Sequence, residues 1–204
     1  MTDTTCKRCI ELLKKYESDR RTAHSLGVLR EAGKLCDLMG ITGKERDDVE
    51  IAAILHDIAH DLPLEEQFRI MDSAGVPYDD LKDYPPVVHQ RAGAVLARME
   101  LPELSRESFG IIECHTTGRI GMTTGEKIVC LCDYTEPGRE YDGCRAVREY
   151  FYTKAEKITD TEQYAAVLDG ALKKAFGMTL DHLKAKGYPV HPVTAEVYKL
   201  LRSE

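Results

Sequence analysis

The chain has 204 residues, of which 43% are hydrophobic and 31% charged, and it carries a formal net charge of −7. These proportions exclude a disordered chain, and the apolar runs are far too short to cross a membrane. The acidic balance argues against a long nucleic acid as a partner, because it provides no cationic surface for a phosphate backbone. A small anionic substrate stays compatible with it, because cations or metal ions can dominate a single cleft.

The length fits one domain better than two, and we expect a single unit over residues 1–204. The first residues, Met1 to Thr5, show no basic-then-apolar export pattern, so we expect a cytoplasmic protein. The seven cysteines are expected to be reduced thiols. Cys6 and Cys9 form a C-x-x-C, but they lie in an amphipathic helical pattern and are predicted to be small buried side chains.

Apolar residues recur at helical spacing along almost the whole chain, and no segment alternates as a half-buried strand would. The fold class predicted is therefore all-α, a helical bundle with a motif-bearing core at about 20–145 and helices in 146–204 that complete it. The predicted helices cover 6–16, 21–39, 42–56, 63–75, 87–99, 103–116, 124–134, 144–157, 161–186 and a final segment after Pro192.

Several helix ends carry local signals. Gly40 is expected to end the second helix as a C-cap. Capping boxes are predicted where Thr42 precedes Glu45 and where Thr123 precedes Glu126. Residues 78–86 are polar and contain prolines, which indicates a loop.

The chemistry is expected where histidines and aspartates meet apolar helical segments. His56 and Asp57 are adjacent near the end of an apolar helix, where an unpaired aspartate would be expensive. Taken singly, each such residue is better explained as a core histidine or a helix-end carboxylate. Taken together, ligands from facing helices are a known way to build a metal site in a bundle, and imidazoles with carboxylates suit iron, manganese or zinc. The residues that would supply it are His24, His56, Asp57, His89, His115 and Asp133.

This order of residues resembles the HD superfamily of metal-dependent phosphohydrolases, and more narrowly its symmetrical diadenosine tetraphosphate hydrolases. The segments that carry the resemblance are Arg21-x-x-His24-Ser25, Ala53 to Ala59, His89-Gln90-x-x-Gly93-Ala94, His115-Thr116-Thr117-Gly118, and Asp133-Tyr134-Thr135-Glu136-Pro137-x-Arg139. The last two are the most specific, and Val190-His191-Pro192 extends the likeness towards the C-terminus.

The resemblance implies a metal centre and a catalytic role for four of these residues. His24, His56, Asp57 and Asp133 would hold one ion. His89 and His115, with Asp57 as a bridge, would hold a second ion or contact the substrate phosphates. His56, Asp57, His89 and His115 are thus the expected catalytic residues, and iron is the expected metal, with manganese or zinc as alternatives.

The resemblance also implies residues that bind the nucleotide. Besides His89, His115 and Asp133, Arg139 would grip a phosphate and Thr117 would offer a hydroxyl. The nucleoside would lie near Phe176, Met178 and Thr179, in a helix that Gly177 is expected to open locally. Ile58, Ala59 and Lys127 complete the implied nucleotide-binding set.

One position departs from the family, because relatives usually carry lysine where this chain has His60. A histidine can replace the lysine charge only when it is protonated, so the role of this position is open. His182 and His191 are expected to lie outside the site.

The activity implied is cleavage of diadenosine tetraphosphate into two ADP through a metal-activated water. One alternative is an HD-domain phosphohydrolase that acts on another nucleotide or a phosphate ester. A second is a non-catalytic nucleotide-binding regulator, and a third is a helical scaffold with incidental histidines. A small dinucleotide is the expected partner, and a homodimer is left open.

Overall fold

The computed structural model describes residues 1–203, which fold into α-helices joined by short turns. The all-α prediction is confirmed, and no strand occurs among these residues. The helices are α1 (Asp3–Tyr16), α2 (Asp19–Met39), α3 (Gly43–Leu55), α4 (Leu64–Ser73), α5 (Val88–Glu100), α6 (Arg106–Cys114), α7 (Thr124–Thr135), α8 (Asp142–Ala155), α9 (Gln163–Lys186) and α10 (Pro192–Ser203).

Local capping explains where several of these helices begin and end. The capping box at Thr123 and Glu126 is confirmed, with both reciprocal bonds present at the start of α7. Gly40 ends α2 at a φ of 67°, in the left-handed region that glycine tolerates, so the predicted C-cap is also confirmed.

The second predicted capping box is wrong. Thr42 makes no side-chain capping bond, although α3 does begin directly after it. Its neighbour Gly43 has a φ of 60°, so the chain enters α3 along a path that differs from a regular capping box.

The segment 78–86, expected to be a loop, contains one short 3₁₀ turn and the start of another, Asp79–Leu81 and Pro85–Val87. Leu81 is fully buried in the core and anchors the segment under α5. A single apolar residue in a polar stretch gives no periodicity, which is why the sequence did not predict that Leu81 is buried.

One hydrophobic core runs through the bundle, from Cys9 and Leu13 in α1 to Val197 in α10. Helix α2 packs on α3 and α7, α3 packs on α6, and α5 packs on α6. Helix α9 closes the bundle against α7 and α8, and α10 lies on α9. This arrangement directs one end of α2, α3, α5, α6 and α7 towards a common point.

Helix α9 is continuous through Gly177, so the expected local opening there is wrong. A Cβ at this position would lie 3.2 Å from the ring of Tyr198, and glycine therefore lets α10 approach α9.

No helix in residues 1–203 combines the length and apolar character needed to cross a lipid bilayer.

Candidate metal centre and substrate cleft

The adjacent pair His56 and Asp57 lies where α3 gives way to a turn, deep in the bundle. The His56 side chain is completely buried, and its Nδ1 lies 2.9 Å from the carbonyl oxygen of Ala53. That carbonyl can only accept, so Nδ1 carries a proton and Nε2 is the ring nitrogen left to face the cluster. Within the described residues this buried Nε2 has no hydrogen-bond partner.

The first cluster of ligand atoms surrounds His56 Nε2. It combines His24 from α2, His56 and Asp57 from the end of α3, and Asp133 from α7, with all ligand atoms within 4.8 Å of one another. His24 Nε2 lies 2.9 Å from Asp133 Oδ1 and 3.7 Å from Asp57 Oδ2. Side chains from three helices that are far apart in the sequence thus converge on one point.

The second cluster uses the other oxygen of the same aspartate. Asp57 Oδ1 lies 3.3 Å from His89 Nε2 and 3.5 Å from His115 Nε2. His115 Nδ1 is 2.9 Å from the carbonyl oxygen of Ile112, which again leaves Nε2 facing the cluster. Asp57 therefore stands between two ligand groups, one oxygen towards each.

The electrostatics of this cluster follow from burial and close charge. Burial would lower the pKa of His56, but Asp57 and Asp133 outweigh it and raise the value to about 10. Without an ion its Nε2 therefore also carries a proton, which metal binding would release. Burial lowers the pKa of His89 to about 4, against the opposing effect of Asp57. Burial would also raise the pKa of Asp57, yet His56, His115 and His89 hold it well below its usual range. Both aspartates are carboxylates at neutral pH.

These donors fit a divalent metal ion. The orphaned Nε2 of His56 and the fixed tautomers of His56 and His115 present imidazole lone pairs, and the two aspartates present carboxylate oxygens. Such a mixed set is typical of transition metals, and buried carboxylates without a cation would be costly. The cluster is a divalent metal site, and its donor set admits iron, manganese or zinc.

Glu136 supports the first ligand cluster through His24, a role that the sequence did not predict. Its Oε1 lies 3.1 Å from Nδ1 of His24, so it can hold that ring with Nε2 towards the cluster. Its other oxygen accepts the backbone N–H of Gly138 at 2.7 Å. A Cβ on Gly27 would collide with this carboxylate, so α2 needs a glycine at this point.

Two guanidinium groups close the solvent side of the cluster. Arg139 donates to Asp133 Oδ1 at 2.6 Å, and Arg21 donates to Asp57 Oδ2 at 2.6 Å. Arg21 lies one turn before His24 on α2 and belongs to the Arg21-x-x-His24-Ser25 segment, but no role was predicted for it from the sequence. Both cations balance the ligand carboxylates and lie where phosphate oxygens would approach.

Other polar side chains fix the loops around the cluster. Gln90 accepts the backbone N–H groups of Thr116 and Thr117, each at 3.1 Å, and so holds the turn after His115. Arg148 donates to the carbonyl oxygens of Thr135, Glu136 and Arg139, and so holds the segment that carries Arg139. The sequence did not predict either contact.

Two cavities meet at the cluster. An inner cleft of about 260 Å³ reaches from the cluster to α9, and an outer cavity of about 1050 Å³ opens along α2. Arg21, His60 and Arg139 line both. Asp57, His89, His115 and Asp133 line the inner cleft, whereas His24 lines the outer cavity.

The structure brings some of the residues expected to bind the nucleotide into these cavities. Arg139 lies at their junction, and Phe176 and Thr179 line the inner cleft beside Tyr134. Thr116 lines the same cleft, with its hydroxyl 3.3 Å from Nε2 of His89. Thr116 was not singled out from the sequence, where the adjacent Thr117 was preferred.

Other expected nucleotide-binding residues are not brought there. The Thr117 side chain is turned to Gln90 and the carbonyl oxygen of Gly118, and Lys127 forms an ion pair with Asp169 on α9 at 2.6 Å. Ile58, Ala59 and Met178 line neither cavity: the first two are fully buried in the core, and Met178 faces Gly143 at the end of α8.

His60, the position that departs from the family, lies at the junction of the cavities. Its ring meets that of His89 edge to face, and its Nε2 is 3.2 Å from a guanidinium nitrogen of Arg21. It is absent from both ligand clusters. His182 is exposed, and His191 is buried against Tyr84 at the start of α10, so neither lies in the site.

Comparison with known proteins identifies the class to which this site belongs. The family model described as "HD domain" matches residues 21–138, a range that begins at Arg21 and ends just before Arg139. The chain therefore belongs to the HD-domain family, and it is a metal-dependent phosphohydrolase by fold and site.

Its relatives within that family are more specific. The symmetrical bis(5'-nucleosyl)-tetraphosphatase of Bacillus subtilis (strain 168) is 32% identical over 197 residues, which is 97% of each chain. The protein of that name from Halalkalibacterium halodurans is 30% identical over 197 residues, again 97% of each. A predicted HD superfamily hydrolase from Clostridium acetobutylicum, described as involved in NAD metabolism, has a crystal structure that covers 97% of this chain and matches it at a TM-score of 0.82 and 29% identity.

Proposed function

We propose that this protein hydrolyses diadenosine tetraphosphate symmetrically, giving two molecules of ADP. The observation that carries the proposal is the position of Asp57, which belongs to both ligand clusters and lines the inner cleft, beside the residues Arg21, His60 and Arg139 that this cleft shares with the outer cavity. A substrate that extends into both cavities has its middle bond at that junction. The names of the relatives supply the substrate class.

The residues that would hold the metal follow from the two clusters. His24, His56, Asp57 and Asp133 would hold one ion, and His89 and His115 would share Asp57 with a second. We propose iron, with manganese or zinc as alternatives. Such an ion lowers the pKa of bound water towards neutrality and offsets charge on phosphoryl oxygens.

The arginines at the junction would orient the phosphate chain. Arg139 and Arg21 pair with the ligand carboxylates, and metal binding would weaken these pairs because it neutralises the same oxygens. Each guanidinium is then free to bind phosphate oxygens in a two-pronged contact. The hydroxyl of Thr116, beside His89, would position a phosphoryl oxygen from the opposite side.

The inner cleft would hold the first nucleoside. Phe176 offers a flat apolar face there, Tyr134 a second ring, and Thr179 a hydroxyl for a base or a ribose.

The intact ligand set argues against the regulator and scaffold alternatives, because a protein that only binds nucleotides would not need two clusters around one buried carboxylate.

A second candidate is a phosphohydrolase for another dinucleotide, which the description of the Clostridium acetobutylicum relative favours. A panel of diadenosine tetraphosphate, NAD, ATP, a cyclic mononucleotide and a phosphate monoester separates the two. We expect kcat/KM for diadenosine tetraphosphate to exceed the others by about a hundredfold or more, since two nucleoside contacts and four phosphates contribute. A higher kcat/KM for NAD would replace the proposal with the second candidate.

A further inference from the structure

The proposed function does not assign the residues of the outer cavity along α2. It is about four times larger than the inner cleft, at about 1050 Å³ against about 260 Å³. Pockets that enclose a drug-sized ligand measure about 300–1,000 Å³, so the inner cleft alone is too small for a whole dinucleotide. The remainder of an extended substrate must lie elsewhere, and the outer cavity adjoins the cleft, because Arg21, His60 and Arg139 line both.

Two free cations line this cavity. Arg20 and Arg30 are both exposed, and their guanidinium groups form no ion pair or hydrogen bond within residues 1–203. They lie ten residues apart on one face of α2, with the small side chain of Ala23 between them. In a chain of net charge −7, two unpaired guanidiniums beside one cavity are suited to an anion.

The segment before α8, which also lines this cavity, carries an exposed aromatic ring. Tyr141 precedes α8 and is 70% exposed, although it lines the cavity. Such a ring offers a flat face on which a nucleobase can stack. Glu140 also lines the cavity and would repel an anion, so one free carboxylate faces the two free arginines.

We propose that the outer cavity is the subsite for the second nucleoside diphosphate, with Arg20 and Arg30 on its phosphates and Tyr141 on its base. This inference rests on the proposed function and adds the half of the substrate that leaves as the second ADP. The two halves then lie on opposite sides of the ligand clusters, and the bond at the junction is the middle anhydride. Symmetrical cleavage follows from the position of the metal centre between two subsites.

The first test is a double variant, Arg20→Gln with Arg30→Gln. Calorimetric titration of the Fe²⁺-loaded protein with ADP should show two sites per wild-type chain and one per variant chain. KM for diadenosine tetraphosphate should rise roughly tenfold or more, with kcat within about twofold, because ground-state binding is lost while the metal centre is unchanged.

Two single variants serve as controls of opposite kind. Arg106→Gln removes an exposed arginine that lines neither cavity. It changes the net charge by the same amount as Arg20→Gln or Arg30→Gln alone, but it should leave KM unaltered. Glu140→Gln removes the opposing carboxylate and should lower KM. If the effect were one of general charge, Arg106→Gln would raise KM as much as Arg20→Gln or Arg30→Gln does alone.

The base contact is tested separately with Tyr141→Ala. KM for diadenosine tetraphosphate should rise about fivefold or more, as expected for the loss of one stacked base. The affinity for adenosine 5'-tetraphosphate, measured as a competing ligand, should not change, because this molecule lacks the second nucleoside. An equal loss for both ligands would contradict the assignment of Tyr141.

The outcomes distinguish this inference from the proposed function. If wild-type protein cleaves diadenosine tetraphosphate and the double variant has the same KM and ADP stoichiometry, the outer subsite is wrong and the proposed function stands. If wild-type protein does not cleave it, the proposed function fails, and the ADP stoichiometry alone decides whether the outer cavity binds a nucleoside diphosphate. One ADP site in the wild type would overturn the inference in either case.

Discussion

At the scale of single residues, the site depends most on Asp57. It is 2% exposed, and its two oxygens face different histidines, with Oδ2 towards His24 and His56 and Oδ1 towards His89 and His115. No other side chain belongs to both ligand clusters. Removing its charge should therefore empty both positions at once.

We expect Asp57→Asn to lose bound metal and to lower kcat/KM by about a hundredfold or more, while the protein stays helical. The amide keeps the volume of the side chain but offers one weaker oxygen ligand. Metal content by elemental analysis and helicity by circular dichroism check this together. A variant that retains both metal and activity would contradict the assignment of Asp57.

Glu136 acts through His24, so its removal should weaken the site without destroying it. In Glu136→Gln the side chain can still reach Nδ1 of His24 but no longer polarises the ring as a carboxylate does. We expect metal affinity to fall about 10- to 100-fold. Competition against a chelator measures this affinity, and Glu140→Gln, in the same segment but without contact to His24, should match the wild type.

At the scale of the helices, local chemistry decided which features the sequence could predict. The start of α7 was predicted at Thr123 and Glu126 because both bonds of a capping box form within four residues. The ligands were found because they stand in recognisable motifs. The bond from Glu136 to His24 spans 112 residues, and the pair of Lys127 with Asp169 joins two helices, so neither has a local signal.

The two predicted capping boxes form a matched experiment on this point. Thr123→Ala removes a cap that α7, the helix that carries Asp133, uses at its start, and it should reduce the free energy of unfolding by about 1 kcal/mol. Thr42→Ala removes a hydroxyl that makes no such bond, and should change it by less than about 0.5 kcal/mol. Urea unfolding of both variants measures the difference, and equal losses would show that capping is not the cause.

The same distinction explains why only some of the residues expected to bind the nucleotide line the inner cleft. Phe176 and Thr179 reach the inner cleft, whereas Met178 on the same helix points to the end of α8. A contiguous run of residues cannot show which face of α9 turns towards the site. Thr116 and Thr117 pose the same problem, since only the structure shows that Gln90 holds the second of them away from the cleft.

At the scale of the whole molecule, burial of a carboxyl group makes stability depend on pH. Glu17 lies just after α1 and accepts the hydroxyl of Ser25 at 3.1 Å. Burial raises its pKa from 4.5 to about 7. The folded protein thus keeps this proton at pH values where the unfolded chain has released it.

The stabilisation that this raised pKa provides is fully present below about pH 4.5 and is lost as the pH rises through 7. Between these two pH values the folded state binds more protons than the unfolded chain, so the free energy of unfolding falls as the pH rises. The stability of the wild type relative to Glu17→Gln should therefore fall by up to about 3 kcal/mol between pH 4.5 and pH 8. Chemical unfolding in the presence of a chelator measures both proteins across this range. A constant difference would mean that Glu17 has the same pKa in the folded and the unfolded state.

The arrangement of the whole chain also accounts for the product expected of the enzyme. Four ligand residues line the inner cleft against α9 and His24 lines the outer cavity along α2, so the substrate of the proposed function would extend into both. For a substrate with two nucleosides and four phosphates, the bond at that junction is the central one. The central claim is therefore a claim about where the bond breaks.

The most direct test is the identity of the products. Metal-loaded protein is incubated with diadenosine tetraphosphate, with Asp57→Asn in parallel, and the nucleotides are separated by chromatography. The proposed function predicts ADP as the sole product of the wild type and no product from the variant. ATP together with AMP would contradict cleavage at the junction of the two cavities, and ADP formed equally by Asp57→Asn would contradict the metal centre itself.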